Sequence, residues 1–244
     1  MSVRATSALA LLIALACALL LLSGADVTLA ATPATAPTSE YAIHPACPAP
    51  GPGHAGCLAL GLRPKTTAAR TRVRERQTRS NTAGSGLAKA SECAIDYPSS
   101  CFTPAQLRDA YFPGEAAEAP AGEPQTIALV DAYNDPDAEA DLATYSSEFA
   151  LPSCTSANGC FKQVGQSGGE GASGLPFPKT KAELETYAKG TTEQRLKAEE
   201  AEGWTLEIST DIEMAHAICR NCHVLLVAAK SPSYSDLEAA EETA

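Results

Sequence analysis

Two short apolar runs, residues 126–130 and 223–229, place the strongest constraint on how this chain can fold. Each run is bounded by polar or turn residues and has the length of a strand, so each predicts a strand buried on both faces. Residues 161–164 predict a further strand, and residues 137–149 predict a helix. Strands that alternate with helices in this way predict an α/β fold, in which a parallel sheet carries helices on both faces.

Capping signals mark the other helices. Thr103 followed by a proline predicts a helix start. Ser235 and Glu238 form a Ser-x-x-Glu pattern, which predicts a capping box for the last helix. Residues 179–202 have helical composition interrupted by Gly190, and they predict an exposed helical insertion.

Glu207 and Asp211 are the most informative pair of candidate functional residues. They lie four apart in a segment that predicts a helix from residue 205 or 206 to Cys219, so the two carboxylates leave nearly the same face and repel one another. A helical wheel at about 100° per residue places them on an apolar side, together with Met214, Ala215 and Ile218. The opposite, polar side carries Ser209, Glu213 and His216.

This pair has two interpretations. Buried neighbouring carboxylates share a proton and can act as general base and acid, which predicts Glu207 and Asp211 as catalytic residues close together on a partly buried face. An acid-rich chain can equally carry them as solvated surface acids. Trp204, three residues before Glu207, either packs in the core or raises the pKa of Glu207 by excluding water.

The first 31 residues predict a secretory signal peptide. Arg4 precedes an apolar run over residues 8–22, which is short for a membrane span, and small residues follow at a cleavage-like site. The mature chain is therefore expected to be secreted and extracellular, without stable membrane association. In that compartment disulfides persist.

Beyond Cys17, eight cysteines fall into four local pairs: Cys47/Cys57, Cys93/Cys101, Cys154/Cys160 and Cys219/Cys222. Local pairing is the simplest of the connectivities that the sequence permits. His216, Cys219, Cys222 and His223 are dense enough to suggest zinc ligands, but export favours a disulfide or structural cysteine pair. A redox role for Cys219 and Cys222 stays open, and it would need an exposed, reducible pair.

Residues 32–90 predict a flexible pro-region or linker ahead of the ordered domain. Residues 32–60 are rich in Pro, Ala, Thr and Gly, and residues 61–90 are basic without apolar periodicity. In a secreted chain with an acidic body, the basic stretch favours a pro-segment that contacts the acidic domain over an arm that binds nucleic acid. No nucleic acid is therefore expected as a partner.

Residues 125–136, 139–145 and 204–216 resemble the start of the catalytic domain of the sedolisin family. The resemblance covers roughly residues 100–244, and residues 91–244 are assigned to this domain. It implies a subtilisin-like fold and a secreted serine-carboxyl endopeptidase that hydrolyses proteins or peptides at acidic pH. The family's Ser-Glu-Asp triad has its Glu and Asp four apart on one helix, a pattern that maps onto Glu207 and Asp211.

The family's serine lies late in the catalytic domain, in a Gly-Thr-Ser-type segment, as do its oxyanion Asp and its calcium-binding segment. Nothing in this chain matches them, so calcium is implied only through ligands beyond Ala244. The chain is therefore expected to be the N-terminal part of such a domain and inactive alone. The alternative is a non-catalytic secreted fragment or pseudo-peptidase that binds protein without cleaving it. Substrate specificity and oligomeric state stay open.

Asp131 follows a predicted buried strand, where subtilisin-type enzymes carry the aspartate of their triad. No His-Gly-Thr motif follows it, and His216 falls on the polar side of its helix, so a Ser-His-Asp triad is not expected. Asp131 is expected instead to shape the end of the strand, with Asn134 and Asp135 in the turn.

Overall fold

The computed structural model describes residues 40–71, 102–113 and 124–244 of the chain. The strands are β1 (Tyr41–Pro45), β2 (Leu60–Pro64), β3 (Thr126–Ala132), β4 (Phe161–Gly165) and β5 (His223–Ala229). The helices are α1 (Pro104–Tyr111), α2 (Ala138–Glu148), α3 (Gly171–Gly174), α4 (Lys181–Ala188), α5 (Thr192–Ile218) and α6 (Tyr234–Thr243). The predicted signal peptide, the Cys93/Cys101 pair and most of the basic stretch lie outside the described residues.

Strands β3, β4 and β5 form a parallel sheet in the order β3-β5-β4, with β5 in the centre. In its register, Asp131 of β3 lies opposite Ala228 of β5, and Gly165 of β4 lies opposite the same residue. The carboxyl ends of the three strands therefore meet at one edge of the sheet. The three strands and the parallel sheet predicted from the apolar runs are confirmed.

Alternate residues of β5 pack on opposite faces of the sheet, as the two-residue period of a strand requires. On one face, Val224 and Leu226 pack with residues of α2 and α5. On the other face, Val227 and Ala229 pack with Ala240 of α6. The sheet therefore carries helices on both faces, and the α/β prediction holds at that level.

Helix α5 begins much earlier than its sequence predicts. The predicted start at residue 205 or 206 is wrong, because the helix runs from Thr192 to Ile218 without a break at Gly203. Thr191 caps it with a capping box, in which its side chain accepts from the Gln194 N–H and the Gln194 side chain accepts from the Thr191 N–H. The predicted end of the helix, by Cys219, is confirmed.

The capping of α1 is as predicted and that of α6 is not. Thr103 and Gln106 form a capping box, with Pro104 in the first turn of α1. Helix α6 is instead capped by Ser233, whose side chain accepts from the Asp236 N–H. The predicted capping box therefore lies inside the helix, two residues beyond the true cap.

The predicted insertion, residues 179–202, divides between two helices. Helix α4 buries none of its residues, as expected for an exposed insertion. The first part of α5, however, buries Ala198 and Ala201 completely or nearly so. This part of α5 belongs to the core and packs under the N-terminal hairpin.

Within the region predicted to be a flexible linker, β1 and β2 pair as an antiparallel hairpin. The Cys47–Cys57 disulfide closes the loop between them, and both cysteines pack against the cluster around Trp204. Gly203 of α5 allows this approach, since a Cβ there would lie 2.6 Å from Cys47 Sγ and 2.7 Å from Ala46 O. The hairpin is thus held on α5 by packing that the linker composition does not reveal.

Three of the four predicted cysteine pairs are disulfide-bonded. Their Cα–Cα distances are 5.9 Å for Cys47–Cys57, 4.8 Å for Cys154–Cys160 and 5.3 Å for Cys219–Cys222. These pairings confirm the local connectivity for the described cysteines, and they are compatible with an extracellular protein. In the part of the chain that the structure describes, no helix is both long and apolar enough to cross a membrane.

The close approach at Gly203 generates a prediction. Gly203→Ala should lower the free energy of unfolding by about 1–3 kcal/mol, because the new methyl group must displace Cys47 or Ala46. The usual helix-propensity gain of Gly→Ala, about 0.5–1 kcal/mol, opposes this loss and does not offset it. Thermal unfolding followed by circular dichroism measures the change. Glu202→Ala, at the exposed neighbouring position, is the control; a stabilised Gly203→Ala variant would contradict the hairpin packing.

Candidate active site

The candidate carboxylates of α5 lie beside the stripe that anchors the helix to the sheet. Ile208 and Ile212 have no exposed surface and pack in the core cluster that includes Val224. Glu207 and Asp211 each precede one anchor by one residue, so both lie on one flank of the stripe and are partly buried. Burial raises the pKa of Asp211, and the carboxylate of Glu207 raises it further. The two acids therefore interact at a partly buried position.

Asp131 is a third carboxylate of the same group, and sequence reasoning gave it a different role. Its side chain is 3% exposed, and its Oδ2 atom is buried without a hydrogen-bond partner. Burial raises the pKa of Asp131 to about 7, with further contributions from the charges of Asp211 and then Glu207. Asp131 is thus electrostatically coupled to the pair on α5. The sequence feature that could have identified Asp131 as part of the site is an ionisable residue at the end of an apolar strand in a parallel sheet.

The turn after β3 is shaped by Asn134 and Asp135, as the sequence predicts. Asn134 has no exposed surface; its Nδ2 donates to Pro178 O, and its Oδ1 accepts from Gln163 Nε2 at 2.7 Å. Asp135 accepts from the Asp137 N–H at 2.9 Å and from Ser209 Oγ at 3.1 Å. These bonds tie the end of β3 to β4 and α5, and so fix where Asp131 lies relative to the helix.

The hairpin reaches the candidate site through its backbone. The Leu58 N–H, one residue after the Cys47–Cys57 disulfide, donates to Glu207 Oε2 at 3.1 Å. One oxygen of Glu207 is therefore engaged by a segment that the sequence assigns to the pro-region.

Trp204 packs in the hydrophobic core. It is 6% exposed and belongs to a cluster with Ala132, Tyr133 and Ala201, against which the hairpin cysteines also pack. The core-packing interpretation is therefore the correct one for this side chain. Its position links the end of β3, α5 and the hairpin immediately beside the carboxylates.

A second group of acids lies on the other flank of α5. Burial raises the pKa of Glu213 to about 7, and the charges of Asp141 and Asp135 contribute. Burial also raises the pKa of Asp135 to about 6, although its hydrogen bonds from Asp137 and Ser209 oppose the rise. The flank predicted to be the polar, solvated side of the helix is therefore partly buried.

The helical wheel places His216 on the polar side of its helix, but in the structure this side chain is buried. His216 has no exposed surface, and its Nε2 lies 2.8 Å from Pro152 O. Burial lowers the pKa of His216, the hydrogen bond with Pro152 O opposes this shift, and the charge of Arg220 lowers the pKa further. The segment after α2 thus holds the ring through Pro152.

The metal-binding possibilities differ from those considered on sequence. Cys219 and Cys222 form a disulfide, as expected for a structural pair. Among the described residues, Cys154, Cys160 and His216 bring three potential ligand atoms within 4.8 Å of one another, but the two cysteines are joined in a disulfide and offer no thiolate to a metal. Calcium takes oxygen ligands, so this sulfur and nitrogen set does not fit the calcium implied by the family resemblance.

No family model, no curated protein and no solved structure matches this chain. The candidate site therefore rests on the geometry of its own residues.

The coupling of the three carboxylates can be tested by titration. In carbon-13 NMR of the side-chain carboxyls, Asp211→Asn should lower the pKa of Asp131 from about 7, and Glu207→Gln should lower it less. Burial is the largest cause, so in both variants the pKa of Asp131 should stay above its usual 3.8. Glu202→Gln removes one exposed charge from the same helix and should change nothing. If the pKa of Asp131 is unchanged in Asp211→Asn, the proposed coupling between these two carboxylates is wrong.

The raised pKa values also predict that the protein is more stable in acid. Asp131, Asp135 and Glu213 bind protons more tightly in the folded than in the unfolded state. Their stabilisation is complete near pH 4 and is lost as the pH rises through about 6 to 7. His216 acts in the opposite direction, because its lowered pKa favours folding above its usual 6.5. Asp141 and Asp211 also have raised pKa values, and Asp236 has a lowered one. Because the raised carboxyls outnumber the groups that act in the opposite direction, the melting temperature should be higher at pH 4.5 than at pH 8 by roughly 5 °C or more.

Asp131→Asn is the informative variant for this measurement, because it removes the titration of a buried carboxyl whose pKa is raised to about 7 and keeps the size of the side chain. The difference in melting temperature between the two pH values should shrink in this variant. A protein that melts at a higher temperature at pH 8 than at pH 4.5 would contradict the assigned burial of these acids.

Proposed function

We propose that Glu207, Asp211 and Asp131 are the acid–base part of a serine-carboxyl endopeptidase site of the sedolisin type, in a secreted protein with a subtilisin-like form of the α/β fold. The observation that carries the proposal is the buried Asp131 carboxyl, with its raised pKa, beside the two acids of α5. The group lies where β3 ends, and functional sites of parallel sheets gather at the carboxyl ends of strands.

Each acid has a distinct role in this proposal. Glu207 takes the proton from the hydroxyl of the nucleophilic serine as that oxygen attacks the peptide carbonyl, and later returns it to the leaving amine. Asp211 orients Glu207 and supports it in its role as base, as the Asp orients and supports the His in the Ser-His-Asp triad. Asp131 keeps one proton within this group of carboxyls, because its raised pKa leaves it protonated at acidic pH. The serine belongs to a Gly-Thr-Ser-type segment, a sequence that these 244 residues do not contain.

The carboxylate base explains why the proposed reaction belongs to acidic pH. A glutamate stays ionised at a pH at which a histidine base is already protonated, so it can still accept the serine proton. The fold is also expected to gain stability in acid, since its buried carboxyls bind protons there. Both arguments favour activity below neutral pH.

The contact between Leu58 and Glu207 supports the assignment of the hairpin to a pro-segment. The Leu58 N–H donates to Glu207 Oε2 and so occupies one of the acceptor positions of that carboxylate. The Cys47–Cys57 disulfide and the packing at Gly203 hold the hairpin in this position. In the proposed enzyme the hairpin therefore competes with a serine hydroxyl for the carboxylate of Glu207.

A non-catalytic, protein-binding role is the second candidate. The hairpin exposes three large apolar side chains: Ile43 is 70% exposed, Leu58 83% and Leu60 63%. Apolar side chains gathered on one exposed element are typical of surfaces that bind another protein. In this alternative the buried carboxyls serve stability alone, and no nucleophile is needed.

The two candidates make opposite predictions for hydrolysis. In the peptidase interpretation, secreted protein that carries these residues together with the predicted serine segment should cleave a quenched peptide best below neutral pH. Glu207→Gln and Asp211→Asn should each lower kcat by roughly 100-fold or more, because each removes part of the general base. The 244-residue chain expressed alone should not cleave the peptide, since the triad lacks its serine.

The matched control is Glu202→Gln, which removes the same charge from an exposed position of the same helix and should leave kcat unchanged. A secreted product without hydrolytic activity at any pH between 3 and 7 would exclude the peptidase and favour the protein-binding role. Turnover that survives Glu207→Gln would exclude Glu207 as the base.

A further inference from the structure

The disulfide loop of the hairpin pairs with residues 232–234, here called the edge segment, through main-chain hydrogen bonds. The Ala55 N–H donates to Pro232 O at 2.8 Å, and the Tyr234 N–H donates to Gly53 O at 3.0 Å. Between these two bonds, residues 54 and 233 form an antiparallel β-bridge. This is the hydrogen-bond pattern of two antiparallel strands, so the loop lies on the edge segment as a short added strand.

The same loop continues from the edge segment to the candidate active site. Three residues beyond Ala55, the Leu58 N–H donates to Glu207 Oε2 at 3.1 Å. Three residues of extended chain span at most about 10 Å, so one short peptide can reach both the edge segment and Glu207. The edge segment follows β5 at the carboxyl edge of the sheet, where the binding sites of parallel sheets gather.

The chain around the edge segment is held by bonds that do not involve the hairpin. Gln166, beyond the end of β4, accepts from the Lys230 N–H at 2.7 Å and donates to Asp236 Oδ1 at 3.1 Å. Ser231 Oγ donates to Asp236 Oδ2 at 2.6 Å and accepts from the Ser233 N–H at 3.3 Å. Because these bonds persist when the hairpin moves, the main-chain groups of the edge segment stay aligned for another strand.

The loop contributes small residues where it lies on the edge segment: Gly53, Ala55 and Gly56. Main-chain hydrogen bonds do not depend on the side chains of the strand that makes them, so another extended segment can form the same bonds. We propose that the edge segment docks an extended peptide segment of a partner protein, with small residues at the places of Ala55 and Gly56. The N–H of a non-proline residue further along that segment donates to Glu207, and the disulfide loop is the intramolecular occupant that it displaces.

This docking goes beyond the proposed function, because it needs no nucleophile and holds for a peptidase and for a protein-binding chain alike. A segment tethered within the same chain acts at an effective concentration in the range of about millimolar. A separate peptide of similar sequence therefore binds weakly while the loop is in place. Any change that weakens the loop but spares the edge segment should strengthen the binding of that peptide.

The experiment measures the binding of one linear synthetic peptide to the 244-residue chain by isothermal titration calorimetry. The peptide has the sequence of residues 50–60, with serine in place of Cys57. Ala55→Pro removes the N–H that the loop donates to Pro232 O, and it should tighten peptide binding by about tenfold or more. The matched control, His54→Ala, keeps the main-chain groups of the loop and should bind the peptide as the wild type does.

Tyr234→Pro tests the edge segment itself. It removes the N–H that the edge segment donates, so in the Ala55→Pro background it should weaken peptide binding by about tenfold. The fold accommodates this change, because Tyr234 is the first residue of α6, where proline is favoured. Ser233 before it has φ −63° and ψ 140°, which a following proline permits.

Amide hydrogen exchange of the wild type keeps the test independent of whether a variant folds. Excess peptide should speed the exchange of the Ala55 amide by about tenfold or more, because the displaced loop loses its bond to Pro232 O. An Ala55 amide whose exchange is unchanged by the peptide would overturn the proposal. So would an Ala55→Pro chain that binds the peptide no better than the wild type, or binding that is insensitive to Tyr234→Pro.

Discussion

The packing of one helical stripe against one face of the sheet decides the position of the candidate functional residues on α5. Ile208 and Ile212 of α5 are fully buried against a cluster that includes Phe161, Val224 and Leu226. With about 100° between successive residues, this anchor sends Glu207 and Asp211 to one flank, and Glu213 and His216 to the other. Burial of apolar side chains contributes roughly 1.5–3 kcal/mol each, more than a repulsion between partly exposed acids costs. The helix can therefore hold like charges together.

The same anchoring explains how far the sequence predicts the site. The apolar runs predict the strands and the parallel sheet, and the four-residue spacing predicts that Glu207 and Asp211 share a face. The helical wheel did not show which side of α5 is buried. Glu207 and His216 lie at nearly equal angles on either side of Ile208, so the wheel alone does not distinguish the two flanks. Which flank is buried depends on distant segments, such as Pro152 beside His216. Local periodicity contains no information about such segments.

Long-range contact also accounts for the elements that the sequence did not place. Glycine is a poor helix former, yet Gly203 lies inside α5. Because it has no side chain, Cys47 and Ala46 can pack directly against the helix at this position. A linker rich in proline and glycine forms a hairpin because its disulfide loop packs on Trp204. Asp131 joins the acids of α5 because the turn bonded to Gln163 and Ser209 fixes the end of β3. Each of these depends on residues far apart in sequence.

The two flanks of α5 hold separate groups of ionisable side chains. On one flank, burial raises the pKa of Asp211, and Asp131 of β3, whose pKa is raised to about 7, is coupled to it. On the other flank, burial raises the pKa of Glu213 to about 7 and lowers the pKa of His216. The buried stripe of Ile208 and Ile212 lies between them and contributes apolar side chains that do not titrate. Each group therefore owes its shifted pKa values to burial that the same packing of the helix on the sheet imposes.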